Sequence, residues 1–187
     1  MKYELWYSVV VRDRHGKVVS RERRRSRSFL KQWNQLVYVH MSASLTESIK
    51  DTGGANRTSQ AAAMNFAMNA GAGVTTYGIR VGTGNTAVAI DDYALDTPIA
   101  EGTGAGQMEH GGCLVATSVV AAPSCSFLVS RWVVNNSPGI ITVREAGIYV
   151  KLYVTYFICL TRDVFVTPQA VPIGGAITID WTIQVTV

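Results

Sequence analysis

The C-terminal residues, 176–187, alternate in polarity more strictly than any other part of the chain. One set of alternate positions is apolar and the other is polar: Ile177, Ile179, Trp181, Ile183, Val185 and Val187 against Thr178, Asp180, Thr182, Gln184 and Thr186. Successive side chains of a β-strand point to opposite faces of a sheet, and helical spacing would not separate these two sets. The pattern therefore predicts a strand with one apolar face, pinned into a sheet.

A second β-rich stretch is residues 124–150, SCSFLVSRWVVNNSPGIITVREAGIYV. In its first half, Phe127, Val129, Arg131 and Val133 fall on one side of an extended chain. Residues 135–139, NNSPG, are turn-forming types, and a second β-rich run follows them. We therefore predict an antiparallel hairpin at the centre of a sheet.

Similar runs occur along most of the chain and determine the predicted fold class. Some eight runs at about ten-residue spacing, with one helix, predict a mainly β protein, either an antiparallel β-sandwich or a jelly roll. The 187 residues are 48% hydrophobic, which suffices for one packed domain. Apolar runs are too short to span a membrane, and no signal-peptide pattern opens the chain, which predicts synthesis in a cytoplasm. Three cysteines at unrelated spacings predict free thiols.

The chain divides into three predicted segments. Residues 1–28 are predicted to form a basic β-hairpin arm that reaches a neighbouring subunit. Residues 29–43 are predicted to form an amphipathic helix, whose stripe consists of Phe29, Leu30, Trp33, Leu36, Val37, His40 and Met41. Residues 44–187 are predicted to form the β-sandwich domain. Its long Gly- and Ser-rich loops, 44–60 and 100–112, are expected to stay exposed until partner subunits order them.

Positive charge is concentrated near the N-terminus. Residues 1–31 hold ten basic and three acidic residues, net +7, and the remaining chain is net −3. On a strand, Arg21, Arg23, Arg25 and Arg27 share one face. This row could bind phosphates, but no aromatic residue or glycine lies between the arginines to recognise bases. A simpler alternative is that the arginines only solvate an edge strand and protect it from unwanted pairing. We favour a subunit interface with the acidic body of a neighbouring copy, through the carboxylates of Asp91, Asp92, Asp96 and Glu101.

Several short patterns fail as cofactor, metal or catalytic sites. Gly82 and Gly84 lack the further residues of a phosphate loop, and residues 91–96 lack the ligand spacing of a calcium loop. His110 and Cys113 have no second ligand pair at zinc-site spacing. Glu145 is interpreted as an ion-pairing strand residue. We therefore predict no cofactor, no metal and no enzymatic activity.

Three strings together resemble the structural proteins of tailed-bacteriophage virions: YGIRVGTGNTAVAIDDYALDTPI at 77–99, NNSPGIITVREAGIY at 135–149 and GAITIDWTI at 175–183. In β-sandwich components of such virions, a GTG…DYAL…PI stretch, a TEVGLY-like strand and a threonine-rich last strand recur. The resemblance spans residues 75–187 and departs at Ala146, where that strand more often has a β-branched residue. It implies a virion part on the head, neck or tail.

The sequence thus leaves three function classes. The first is a non-enzymatic assembly protein of a phage particle, made in the host cytoplasm, whose partners are copies of itself and other virion proteins. The second is a receptor- or glycan-binding appendage, although the chain has no long trimerising shaft. The third is a nucleic-acid-contacting module that uses the row from Arg21 to Arg27. We favour the first, and expect no membrane partner.

Overall fold

The computed structural model describes residues 2–26, 29–42, 48–58, 66–153 and 155–186. These residues form eleven strands and one helix: β1 Lys2–Arg12, β2 Val18–Ser26, α1 Lys31–Ser42, β3 Ser48–Lys50, β4 Asn56–Thr58, β5 Gly78–Gly82, β6 Glu109–Val115, β7 Val119–Ala121, β8 Ser124–Val134, β9 Ile141–Tyr153, β10 Tyr156–Val171 and β11 Ala176–Thr186. All pairs of these strands are antiparallel. The predictions of a mainly β chain and of antiparallel sheets are confirmed.

The larger sheet contains six strands in the order β2-β1-β11-β8-β6, with β7 also paired to β8. β11 lies at its centre, and the alternation in its sequence determines which side chains enter the core. Ile177, Ile179 and Trp181 are fully buried, whereas Thr178 and Asp180 between them are partly exposed. The strand predicted over 176–187 is therefore confirmed through Thr186.

The second sheet contains three strands in the order β10-β9-β5, and β3 and β4 form a separate two-stranded pair. Both larger sheets contribute to one buried apolar cluster. Val9 of β1 and Val133 of β8 meet Val143 of β9 and Ile158 of β10 in it. Burial of this shared apolar surface is the main force that holds the two sheets together.

The hairpin predicted over 124–150 is wrong, because its two strands lie in different sheets. β8 pairs with β11, β6 and β7, whereas β9 pairs with β10 and β5. The turn residues make a crossover between the sheets. Buried Asn135 donates its side-chain amide to the carbonyls of Gly139 and Val171, at 2.9 and 2.8 Å. Its backbone N–H donates to Gly175, in the linker that returns the chain from β10 to β11. The two crossovers stabilise one another.

The predicted arm, residues 1–28, overlaps β1 and β2. β1 is paired with β11 over its whole length, from Lys2↔Thr186 to Arg12↔Ala176. Its side chains Leu5, Val9 and Val11 are buried in the core, so β1 belongs to the body of the protein.

Over residues 31–33 and 35–37, where its side chains are described, the helix α1 does not present the predicted division into an apolar and a polar face; His40 and Met41 of the stripe lie outside the described side chains. Leu36 is buried as its pattern predicts, and the Trp33 ring lies 4.7 Å from that of Phe29. Gln32, which the pattern places off the stripe, is also fully buried and donates to the carbonyl of Asp92. Its polar side chain therefore anchors the segment that follows β5.

The predicted exposed loops are also partly wrong. Within 44–60, residues 48–58 form the β3–β4 hairpin, and Ile49 is fully buried. The buried Asp51 carboxylate closes its turn by accepting the N–H groups of Gly53 and Ala55. Within 100–112, residues from 109 onward belong to β6, and Met108 is buried. The Gly and Ser content predicted solvent exposure, but one buried apolar side chain in each segment, Ile49 or Met108, packs in the core. Residues 44–47 and 59–60 lie outside the described ranges.

Candidate interaction surface

The predicted arginine row lies on β2, at one edge of the six-stranded sheet. Arg21, Arg23 and Arg25 are exposed and pair with Val10, Ser8 and Trp6 of β1. Those β1 positions alternate with the buried core residues, so the three arginines share the outer face of the sheet. Arg27 lies outside the described residues.

Neighbouring side chains partly engage this row. The guanidinium carbon of Arg23 lies 5.4 Å from the centroid of the Trp6 ring, a cation–π contact. Arg25 lies 3.6 Å from a Glu4 carboxylate oxygen, at a solvent-exposed position where ion pairs stabilise weakly. Arg21 has no ion-pair partner among the described residues. The row therefore retains uncompensated positive charge.

The inner face of β2 is fixed to β10 by a polar seam. Glu22 is 9% exposed and accepts hydrogen bonds from Arg24 Nε at 2.7 Å, Tyr7 Oη at 3.2 Å and Gln169 Nε2 at 3.3 Å. Ser26 donates to Asp163 at 2.6 Å. Burial and the adjacent Glu22 carboxylate raise the pKa of Tyr7, so the phenol remains a donor. This seam holds the edge strand in place.

A groove of about 460 Å³ runs beside this edge, between β2 and β10. It is lined by Tyr7, Arg23, Arg24, Arg25, Asp163, Val164 and Val166. Val166 is 68% exposed, so the groove combines a cationic wall with an apolar side. Sequence reasoning identified the wall but not the groove, because β10 is more than a hundred residues away along the chain.

The predicted acidic partners lie between β5 and β6. Asp91 and Asp96 are exposed. Asp92 accepts a hydrogen bond from Arg162 Nη1 at 2.8 Å, and Glu101 lies 2.8 Å from His110 Nδ1. The structure therefore commits Asp92 and Glu101 to partners within the chain, and leaves Asp91 and Asp96 at the surface.

A buried ion pair joins β9 and β10. Glu145 and Arg162 are 0% and 2% exposed, and Arg162 Nε donates to Glu145 Oε2 at 2.8 Å. The other guanidinium nitrogens reach Asp92 and Thr86. Burial alone would lower the pKa of Arg162, but its hydrogen bonds to Glu145 and Asp92 outweigh that effect and raise it. The interpretation of Glu145 as an ion-pairing residue is confirmed, and its partner was missed.

The segment 82–99, which carries most of the first phage-like string, closes over this ion pair. Glu145 accepts the backbone N–H groups of Asp96 and Thr97, at 3.1 and 2.8 Å. A Cβ at Gly82 would collide with Glu145 Oε1, and one at Gly84 would lie 2.6 Å from the same oxygen. The two glycines therefore permit the close approach of backbone to carboxylate. Their spacing therefore has a structural reason in packing on a buried charge.

Arg131 of β8 is a second buried cation that sequence reasoning did not single out. It is 1% exposed, and its acceptors are backbone carbonyls. They belong to Gly111 at 2.7 Å, Ile79 at 2.9 Å, Val74 at 2.6 Å, Gly71 at 3.3 Å and Tyr77 at 3.5 Å. Burial lowers its pKa. Arg131 falls on the same face of β8 as the buried Val129 and Val133, and this alternation in the sequence could have indicated its burial.

His110 lies near Arg131 and is 2% exposed. Burial lowers its pKa to about 4, although the hydrogen bond to Glu101 acts in the opposite direction. The side chain is therefore neutral near pH 7, and its Nδ1–H donates to Glu101. Its Nε2 is buried with no hydrogen-bond partner in the described part of the chain. Cys113 is also buried, and burial raises the pKa of its thiol.

The edge of the six-stranded sheet opposite β2 carries exposed apolar side chains, whereas the β2 edge is basic. Leu114, Val119, Val120 and Trp132 are between 51% and 79% exposed. The Trp132 indole lies against Gly111, where a Cβ would overlap the ring. Leu114 pairs with Ser130 of β8, two residues from Trp132, and exposed apolar side chains in such proximity commonly mark contacts with other molecules.

Comparisons with protein-family models, curated proteins and solved structures find no match to this chain. Among the side chains that the structure places, no group of three or more His, Cys, Asp or Glu residues could hold a metal ion. Over the same ranges, no helix has both the length and the apolar character needed to cross a membrane.

Proposed function

We propose that the protein is a non-enzymatic structural component of a tailed-phage virion, which assembles through subunit contacts on the head, neck or tail. Its two larger sheets would be the halves of an antiparallel β-sandwich, a proposal that their shared core supports. The partners would be copies of the chain and other virion proteins. The phage-like strings in the sequence support a place in a virion, and the surface of the six-stranded sheet supports assembly through subunit contacts.

The observation that carries the proposal is the distribution of side chains over the outer face of that sheet. One edge carries the exposed Arg21, Arg23 and Arg25, and the other carries exposed Leu114 and Trp132. Interfaces are enriched in arginine and aromatic residues, and an exposed apolar cluster is unfavourable in a protein that stays alone in water. Two different contact edges on one rigid sheet suit a repeated subunit.

The buried titratable groups support a role without catalysis. His110 and Cys159 have the shifted pKa values that catalytic residues often show, but they are 2% and 0% exposed. Burial raises the pKa of Cys159, which keeps the thiol protonated and unreactive. The Glu145 carboxylate is saturated by Arg162 and two backbone N–H groups. None of these groups is placed to reach a substrate.

Self-assembly can be tested with purified full-length protein. Size-exclusion chromatography with light scattering, followed by negative-stain electron microscopy, should show oligomers whose population rises with concentration. Trp132→Ser should shift this equilibrium toward monomer, because it removes an exposed apolar contact. Ile173→Ser is the matched control, since Ile173 is 52% exposed and Trp132 51%.

The virion role needs a separate measurement. Mass spectrometry of purified particles of the phage that encodes the chain should detect it as a stoichiometric component. Particles that lack the polypeptide, or a wild-type protein that stays monomeric at every concentration, would contradict the proposal.

A further inference from the structure

We propose that the free edge of β2 and the groove beside it bind an extended acidic polypeptide segment, which adds to the six-stranded sheet as a further strand. This inference goes beyond the proposed function, since it names the chemistry of a partner and holds whether or not that partner belongs to a particle. It rests on the edge, its charge and the groove.

The edge of β2 has the form that strand addition requires. β2 is nine residues long and lies last in the strand order, so no described strand pairs with its outer side. The unpaired N–H and C=O groups of such an edge can form a ladder with an added strand. The seam through Glu22, Tyr7 and Gln169 holds β2 against β10 before any partner arrives. A partner would therefore meet a preformed edge.

The charge of this edge selects an acidic partner. Residues 17–26 contain five basic residues and one acidic residue, net +4. Arg21, Arg23 and Arg25 line the outer face and Arg24 the inner face, so arginines flank an added strand on both sides. Oppositely charged cross-strand neighbours stabilise a sheet. An acidic strand would thus supply the carboxylates that the row lacks.

The groove favours a polypeptide over a nucleic acid. Val164 and Val166 line it, and Val166 is 68% exposed, which suits an apolar side chain of an alternating strand. Trp6 lies beneath the Arg23 guanidinium, so its ring is not open for base stacking. Arginines on two faces of one strand also do not converge on a single phosphate track.

The test uses the full-length protein and a fluorescein-labelled peptide with alternating Asp and Val, as long as β2. Fluorescence anisotropy should show saturable binding. A second peptide of equal length and charge, with prolines at adjacent positions so that ladder donors are lost in either register, cannot form the full ladder and should bind at least about tenfold more weakly, or 1.4 kcal/mol. Hydrogen exchange of residues 18–26 should slow when the first peptide binds.

Two sets of variants locate the site on the protein. Val166→Asp should weaken binding of the Asp-Val peptide about tenfold by placing a carboxylate in the groove. Ile140→Asp is the matched control, because Ile140 is 67% exposed and lines a different groove. The exposed double change Arg21→Ser and Arg23→Ser should weaken binding to a similar degree without disturbing the core. Circular dichroism should confirm that each variant is folded.

Three outcomes would contradict the proposal. Equal affinity for the proline peptide would show charge attraction without strand addition. Equal weakening by Val166→Asp and Ile140→Asp would remove the groove from the site. Tighter binding of an oligothymidylate that displaces the peptide, with a steep dependence on salt, would identify the edge as a nucleic-acid surface instead.

Discussion

Replacing Glu145 by glutamine should be among the most destabilising conservative changes in this protein. The substitution preserves the shape of the side chain and removes its charge, so the 2% exposed guanidinium of Arg162 loses its buried counterion. The amide NH₂ group must also replace either Oε2, which accepts from Arg162 Nε and the Asp96 N–H, or Oε1, which accepts from the Thr97 N–H. The new amide N–H is therefore left pointing at another N–H donor, with no acceptor between them.

The magnitude follows from this burial. Breaking a buried ion pair by removing one partner costs about 3 to 5 kcal/mol. Asp92 stays within hydrogen-bond distance of Arg162 and retains part of the compensation, but its side chain is 24% exposed and screened by water. We therefore expect a loss of about 3 kcal/mol, or roughly 6 to 12 °C in melting temperature for a domain of this size.

Urea unfolding followed by tryptophan fluorescence can measure the loss, since Trp181 is fully buried and reports on the core. Asp91→Asn is the control, because Asp91 is an exposed carboxylate in the same segment and its removal should change stability by less than about 0.5 kcal/mol. Adding Arg162→Met to Glu145→Gln should restore part of the stability by removing the unpaired charge. A loss below about 1 kcal/mol for Glu145→Gln would refute the reasoning.

Two further substitutions test the close approach at Gly84 and the buried histidine. Gly84→Ala should lower the free energy of unfolding by about 1 to 3 kcal/mol through overpacking, measured by thermal unfolding. Gly71→Ala, where a Cβ meets no atom within 4 Å, should have little effect, and equal losses would contradict the steric argument. Stability should also fall as the pH drops from 6.5 toward 4, because burial lowers the pKa of His110 to about 4 and the unfolded chain takes up its proton first. The loss in the free energy of unfolding should approach about 3 kcal/mol near pH 4. His110→Asn retains a donor toward Glu101 and should make the free energy of unfolding, measured with urea, nearly independent of pH over this range. An unchanged pH dependence in this variant would contradict the role given to His110.

Local alternation of side chains was enough to predict the β class and several faces. A strand's period of two assigns each residue to one side, so residues 177–183 could be placed in a core without knowledge of the partner strands. The same rule put Arg21, Arg23 and Arg25 on one face. It also placed Arg131 in phase with Val129 and Val133, although burial of a cation was not inferred from it.

Strand pairing and the buried polar contacts depended on the tertiary structure. The turn residues at 135–139 have the composition of a hairpin, but β8 pairs with β11 and β6, and the chain crosses to the other sheet there. Arg162 meets Glu145 and Asp92 across 17 and 70 residues of sequence. Periodicity encodes which face a residue occupies, because that is a property of its own strand. It does not encode which distant strand, carboxylate or carbonyl lies opposite, because that is decided by how the whole chain buries its apolar surface and pairs its charges.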